Sequence, residues 1–226
     1  MSLEILSKIG EIVLLNLVLS GDNAVVIALA TRRLNPKECK KAIFIGTAGA
    51  VVLRVLLMFV AIQLLSIPFV KIIGSLLLFY IALDLLKSNK ESESDMKSHT
   101  TFMGAIRTII LADLVMSLDN VLAIAGVADS SMLLALFGLV ISIPIVVFCS
   151  QIIIKLMDRF PLLIWIGALL IAYTSGTMIM EDPFTEHLLE NILPILGHSP
   201  LVPILFCIVL VLINFVISSR ESVSSG

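Results

Sequence analysis

The chain has 226 residues, of which 59% are apolar and 14% are charged, and its mean hydropathy is +1.12. A soluble globular domain has about 45–50% apolar and about 25% charged residues, so the composition excludes that class and predicts a protein embedded in lipid. Most charged residues are gathered in short clusters between apolar runs of about 20 residues, a pattern that also excludes a nucleic-acid-binding protein, a secreted disulfide scaffold and a transmembrane barrel. The net charge of -2 says little about partners.

Seven apolar runs follow one another along the chain, and each is close to the roughly 20 residues that a helix needs to cross a bilayer core. They lie near Ile9–Ala30, Ala42–Leu65, Phe69–Leu86, Phe102–Gly126, Met132–Leu156, Leu162–Met180 and Leu201–Ser219. We therefore expect an all-α membrane protein with seven transmembrane helices.

The lysine and arginine residues are distributed unequally between alternate connections. Twelve lie in the connections 31–41, 87–107 and 155–159 or at the C-terminus, whereas the opposite side has only Lys8 and Lys71. Because basic residues favour the cytoplasmic side, the N-terminus is predicted outside and the C-terminus in the cytoplasm of a multi-pass protein.

Two connections have distinct compositions. Residues 88–101 are polar, with mixed charges and no apolar periodicity, which predicts a cytoplasmic linker. Residues 181–200 form an extracytoplasmic loop, in which Asp182 and Pro183 favour the start of a short amphipathic helix on the outer surface. We expect the acidic residues of this loop to be solvated.

An internal repeat relates the two halves of the chain. The segment 20–28 resembles the segment 117–125 at an offset of 97 residues, and at this offset Asn16 aligns with Asp113 and Arg54 with Gln151. Each copy covers three spans, so the second copy must enter the membrane from the opposite face, as in transporters built from inverted repeats. The predicted organisation is therefore a first three-helix repeat, the linker, a second inverted three-helix repeat, the outer loop, and a seventh helix with the C-terminal tail, at residues 1–87, 88–101, 102–180, 181–200 and 201–226.

The repeated motif Ser-x-Asp-Asn provides the candidate site. Asp22 and Asp119 lie inside predicted spans, where an aspartate costs at least roughly 2.5–3.5 kcal/mol unless it faces a cavity or a partner. Carboxylate, amide and hydroxyl oxygens suit a hard divalent cation such as Mg²⁺, Ca²⁺ or Mn²⁺. The candidate ligands are Asn16, Ser20, Asp22, Asn23, Asp113, Ser117, Asp119 and Asn120.

The sequence leaves open what the polar residues of the motif do, whether the helix opens there, and what Arg54 contacts. The polar residues could instead bond one another and fix helix packing. Each aspartate is also about 100° around the helix from the following asparagine, so all the polar groups converge best if the helix opens locally at the motif. Arg54 lies deep in the second span, where it could pair with a buried carboxylate or extend toward an interface.

The segments SGDNAVVIALA and DLVMSLDNVLAIAG resemble the TerC family of integral membrane proteins, especially its short bacterial, YjbE-like members. The resemblance covers essentially the whole chain, and it implies a lysine-exporter-like transporter in a bacterial cell membrane. It implies export of Mn²⁺, which would be the transported substrate, with no organic cofactor. It also implies that Asp22, Asn23, Asp113, Asp119 and Asn120 form the metal site.

Three alternatives differ in what the carboxylates do. The same groups could hold the ammonium of a cationic amino acid, or the protein could deliver metal to a secretion partner without transporting it. An intramembrane aspartyl protease needs two aspartates with divided acid and base roles, whereas the repeat predicts equal roles; we therefore expect a protein that is not an enzyme. The expected partners are the lipid bilayer and a divalent cation, with no nucleic acid, and a homo-oligomer is compatible with the sequence.

Overall fold

The computed structural model describes residues 21–65, 67, 69–87, 101–127, 132–192 and 200–224. Within these ranges the chain forms eight helices and no strand, which confirms the all-α expectation. The helices are α1 Gly21–Thr31, α2 Pro36–Leu65, α3 Val70–Lys87, α4 Phe102–Val127, α5 Met132–Arg159, α6 Leu162–Met180, α7 Pro183–Ile192 and α8 Leu201–Ser224.

Local capping explains where several helices begin. Asn35 accepts a hydrogen bond from the backbone N–H of Glu38 at 2.9 Å, and Pro36 occupies the first helical position, so α2 begins before its apolar run does. Thr101 accepts the N–H of Gly104 at 3.0 Å at the start of α4. The predicted short helix after Asp182 is α7.

Each predicted apolar run for which the structure describes residues contains a helix. By length and apolarity alone, one helix among the described residues, α6, is suited to cross a membrane, and 44% of its apolar window is buried. Two shorter apolar helical segments are Asp22–Thr31 and Leu201–Ile217. The arrangement of seven spans remains a prediction.

The chain divides into two compact units, of which the first comprises Met1–Leu65 and Thr100–Pro161. Here α2 packs along α4, while α1 packs against both α5 and α4. Apolar side chains such as Ile43, Ile109 and Val26 are almost completely buried in this unit, so it has its own core.

The second unit comprises Ser66–His99 and Leu162–Gly226, and α6 packs against α3, α7 and α8 within it. The hydroxyl of Ser75 donates to the backbone carbonyl of Ser175 at 2.7 Å, and the hydroxyl of Ser175 donates to the backbone carbonyl of Ser75 at 2.6 Å. This reciprocal pair joins α3 to α6 where both side chains are fully buried.

Both units combine helices from the two predicted repeat copies. The first contains α1 and α2 from one copy with α4 and α5 from the other, and the second pairs α3 with α6. Of the predicted linker 88–101, the described residues include only Thr101. The last part of the predicted outer loop, residues 193–199, lies outside them.

Candidate functional site

A polar cluster lies inside the first unit, centred on the carboxylate of Asp113 in α4. The amide of Asn23 in α1 donates to its Oδ1 at 2.9 Å, and Nη2 of Arg54 in α2 approaches the same oxygen at 2.5 Å. The hydroxyl of Ser117 donates to Oδ2 at 3.1 Å and accepts a hydrogen bond from Nε of Arg54 at 2.8 Å. Three helices therefore meet at one carboxylate.

The cluster is shielded from its surroundings by the fold. Asn23 and Arg54 are 3% and 4% exposed, Ser117 is fully buried, and the side chain of Asp113 is 13% exposed. Buried charges of this kind are tolerated when they are paired and hydrogen-bonded. The ion pair between Arg54 and Asp113 meets that condition.

Close packing of α2 on α4 places Arg54 beside Asp113. A Cβ atom added to Gly46 would lie 2.9–3.1 Å from side-chain atoms of Ile109, and one added to Gly49 would lie 2.8 Å from Ile110. Small residues at a helix interface allow this approach. The i, i+4 spacing of Asp113 and Ser117 then presents both side chains on the same face of α4.

A small cavity with a volume of about 30 Å³ adjoins the cluster. Asn23, Thr47, Arg54 and Asp113 contribute to its lining, together with apolar residues of α1, α2, α4 and α5. Oδ1 of Asn23 and Oγ1 of Thr47 are buried and have no hydrogen-bond partner among the residues that the structure describes. Since unpaired buried oxygens are costly, they mark where a water molecule or a cation would be stabilised.

Asp22 lies half-buried beside this cluster. Its Oδ1 accepts the backbone N–H of Asn23 at 2.9 Å, and its charge interacts electrostatically with those of Asp113 and Arg54. The region therefore contains two carboxylates and one guanidinium among the side chains that the structure describes.

The predicted site residues have different outcomes. Asn23, Asp113 and Ser117 come together, Asp22 lies beside them, and Arg54 pairs with a buried carboxylate. Asn16 and Ser20 lie outside the described residues, as do the side chains of Asp119 and Asn120, whose backbone belongs to α4.

The expectation of a locally opened helix is wrong for the second copy. Helix α4 continues without interruption from Phe102 to Val127, across the whole motif. Asn23 and Asp113 converge because α1 packs against α4. Thr47 also lines the cavity, although no sequence pattern points to it.

The charged residues at the start of the outer loop have structural partners. Asp182 is fully buried and accepts the N–H groups of Phe69 and Lys71 at 3.2 Å and that of Phe184 at 3.0 Å. It thus caps both α3 and α7, which corrects the expectation that its carboxylate is solvated. Among the described residues as a whole, no group of three or more His, Cys, Asp or Glu side chains is placed to hold a metal ion.

The chain is similar in sequence to known membrane proteins. A sequence model described as "Integral membrane protein TerC family" matches residues 1–223. The chain is 44% identical over 191 residues to "Uncharacterized membrane protein YjbE" of Bacillus subtilis (strain 168), covering 82% of this chain and 87% of that protein.

Two further relatives are more distant. "Uncharacterized membrane protein YkoY" of Bacillus subtilis (strain 168) is 31% identical over 184 residues, which cover 70% of this chain and 57% of YkoY. "UPF0053 inner membrane protein YgdQ" of Escherichia coli (strain K12) is 24% identical over 191 residues, covering 77% of this chain and 80% of YgdQ. No solved structure matches the chain significantly.

Proposed function

Because the chain belongs to the TerC family of integral membrane proteins, we propose that it is a secondary transporter that exports a divalent cation, most favourably Mn²⁺. The observation that carries the proposal is a largely buried carboxylate, Asp113, beside a cavity whose lining includes two oxygens without a hydrogen-bond partner in the described part of the chain. In a membrane protein an ionisable residue in such a place indicates an ion pathway.

The chemistry of the cluster favours a hard cation. Asp22 and Asp113 supply carboxylates, while Asn23 and Thr47 supply neutral oxygens that accept no hydrogen bond from the described part of the chain. Mg²⁺, Ca²⁺ and Mn²⁺ prefer such ligands. The resemblance carried by the two Ser-x-Asp-Asn motifs favours Mn²⁺ among them.

The size of the cavity favours an ion over an amino acid. Its volume of about 30 Å³ exceeds the roughly 10–15 Å³ that one water molecule needs, but it is far below the ~150 Å³ of a cavity that admits benzene. A bare or partly hydrated metal ion fits, whereas lysine would require the surrounding helices to separate.

The packing order supports the inverted-repeat mechanism that we propose for transport. Helix α1 packs on α5, and α2 packs on α4. In the predicted repeat, α1 corresponds to α4 and α2 corresponds to α5. Replacing each helix by its counterpart therefore turns the α1–α5 pair into the α4–α2 pair. Such symmetry allows the two copies to exchange conformations and expose one central site alternately to each side.

Flux through sealed vesicles tests the function. The purified protein is reconstituted, and uptake of Mn²⁺, Mg²⁺, Ca²⁺ and lysine is compared with that of empty vesicles and of vesicles containing the Asp22→Asn variant. Asp84→Asn is the matched control, because Asp84 is an exposed aspartate of α3 in the other unit. We expect Mn²⁺ flux that Asp22→Asn abolishes and Asp84→Asn preserves.

Other outcomes distinguish the alternatives. Lysine flux without metal flux would replace the cargo with a cationic amino acid. Binding of Mn²⁺ without movement would instead indicate a membrane protein that delivers metal to a partner. Either result would overturn the proposal of Mn²⁺ export.

A further inference from the structure

Arg54 introduces a permanent positive charge into the proposed cation site, and no role follows for it from the transport proposal alone. We propose that its guanidinium is a tethered cation that occupies the site between transport events and that the divalent cargo displaces from Asp113. This inference rests on the proposed function, because it describes how the same site is regulated.

The guanidinium holds groups that the cargo would use. Its Nη2 contacts Oδ1 of Asp113 at 2.5 Å, and its Nε donates to Oγ of Ser117 at 2.8 Å. Both Asp113 and Ser117 belong to the predicted ligand set. Arg54 is 4% exposed, so these contacts lie in a shielded environment, where interactions between charges are stronger than in water.

The hydrogen bonds around Asp113 show why a cation that binds Oδ1 must displace a donor. Its Oδ1 accepts from Arg54 and from the amide of Asn23, and its Oδ2 accepts from Ser117. A carboxylate oxygen has about two lone-pair sites, so Oδ1 is fully occupied. A cation that binds Oδ1 must replace one of these donors, and repulsion between like charges favours departure of the guanidinium.

The cavity indicates where the incoming cation first binds. Asn23 and Thr47 line it together with Arg54 and Asp113. Within the described ranges, Oδ1 of Asn23 and Oγ1 of Thr47 have no hydrogen-bond partner. A cation held by these oxygens would lie beside the ion pair. It could then exchange with the guanidinium without leaving Asp113 unpaired at any stage.

A tethered cation would solve an energetic problem of the transport cycle. After the cargo leaves, Asp113 would be a buried charge without a partner, and breaking a buried pair in this way costs about 3–5 kcal/mol. Return of Arg54 removes that cost. The empty protein can therefore change conformation with its site neutralised.

The opposite explanation is that Arg54 permanently positions Asp113 for the cargo. The two explanations predict opposite changes in affinity when the charge is removed. Under displacement, Arg54→Gln removes a competitor and strengthens binding; under permanent positioning, it releases Asp113 and weakens binding.

The experiment measures Mn²⁺ binding to purified protein in lipid nanodiscs, together with flux in vesicles. We expect Arg54→Gln to lower the Kd for Mn²⁺ at least about tenfold, which equals about 1.4 kcal/mol, and to slow flux. Arg54→Lys keeps the competing charge and should remain near the wild-type Kd. Arg107→Gln is the control for net charge, because Arg107 is exposed on α4 of the same unit.

An unchanged or higher Kd in folded Arg54→Gln protein would overturn the inference. If this variant fails to fold, labelling of the wild-type protein with an arginine-specific dicarbonyl decides instead. Mn²⁺ should increase modification of Arg54 relative to Arg107, and no increase would overturn displacement. Wild-type Mn²⁺ flux combined with either negative result rejects only this inference, whereas absence of both wild-type flux and binding in every variant rejects the proposed function as well.

Discussion

The side-chain amide of Asn23 donates to the carboxylate of Asp113 across 2.9 Å, although the two residues are 90 positions apart in the chain. Asn23 belongs to the first repeat copy, and Asp113 belongs to the second, one helical turn before its Ser-x-Asp-Asn motif. The contact therefore joins the two repeat copies directly. The carbonyl oxygen of the same amide has no hydrogen-bond partner among the described residues.

Asp113→Asn should weaken both the fold and metal binding. The substitution breaks the ion pair between Asp113 and the buried guanidinium of Arg54, and breaking a buried pair costs about 3–5 kcal/mol. Thermal unfolding in detergent should show the loss, with Asp84→Asn as the exposed control. We also expect a weaker affinity for Mn²⁺ and only partial loss of flux, because the aligned residue of the first copy, Asn16, is already a neutral amide.

A double variant checks the cause of this destabilisation. Combining Asp113→Asn with Arg54→Gln removes both charges, so stability should return toward the wild-type value. If Asp113→Asn alone is as stable as the wild-type protein, the ion pair does not stabilise the folded state as argued.

The positions of the helices could be predicted because they depend on local properties. Long apolar runs with few charged residues identified the helical segments, and Asp182 followed by Pro183 predicted the start of α7. The contacts of Asp182 could not be predicted in the same way. It also caps α3 through Phe69, 113 positions earlier, and no local pattern identifies a partner so distant.

The candidate site was predictable in its residue types but not in its connections. An arginine inside a span can pair or extend toward an interface, and only the packing of α2 on α4 through Gly46 and Gly49 selects Asp113 as its partner. No motif or repeated position in the sequence identified Thr47. A threonine in a helix commonly bonds a preceding carbonyl, as Thr31 bonds that of Ile27, so its residue type does not mark a cavity.

Asp22→Asn and Asp119→Asn should each abolish Mn²⁺ flux while the protein still inserts and folds. Each substitution removes a negative charge from a divalent ion in a low-dielectric cavity, where the lost attraction is large even at an effective dielectric constant of about 20. Insertion should become easier, since an aspartate within a span costs a few kcal/mol. Vesicle flux at matched protein levels measures the effect, and full flux from either variant would remove that residue from the site.

The orientation of the chain can be tested with single cysteine labels. The unequal distribution of basic residues predicts that residues 88–101 face the cytoplasm and that Glu186 faces the outside. In a variant without the native cysteines, a label in the linker should react only after permeabilisation, and a label at position 186 should react in intact cells. The reverse pattern would invert the assignment of the two sides.

Gly176→Ala should destabilise the second unit. The added Cβ would lie 2.5 Å from Cα of Pro203, and backbone atoms cannot rotate away, so α6 and α8 must separate. Overpacking of this kind costs about 1–3 kcal/mol. Gly104→Ala is the comparison, because its close neighbour is the hydroxyl of Thr101 at 3.0 Å, which can move; equal unfolding temperatures for both variants would contradict the argument.

Thr47→Val should weaken metal binding without lowering the stability of the fold. Valine has nearly the shape of threonine, and the substitution removes a buried hydroxyl for which the described residues provide no hydrogen-bond partner. The unfolding temperature should therefore stay the same or rise. Affinity for Mn²⁺ should fall by about tenfold, or about 1.4 kcal/mol, because the cavity loses one of its unpaired oxygens. Thr174→Val is the matched control, since the hydroxyl of Thr174 donates to the carbonyl of Leu170 in the other unit. A variant that binds Mn²⁺ as tightly as the wild-type protein would exclude Thr47 from the cation's coordination, and a large drop in unfolding temperature would show that its hydroxyl has a structural role instead.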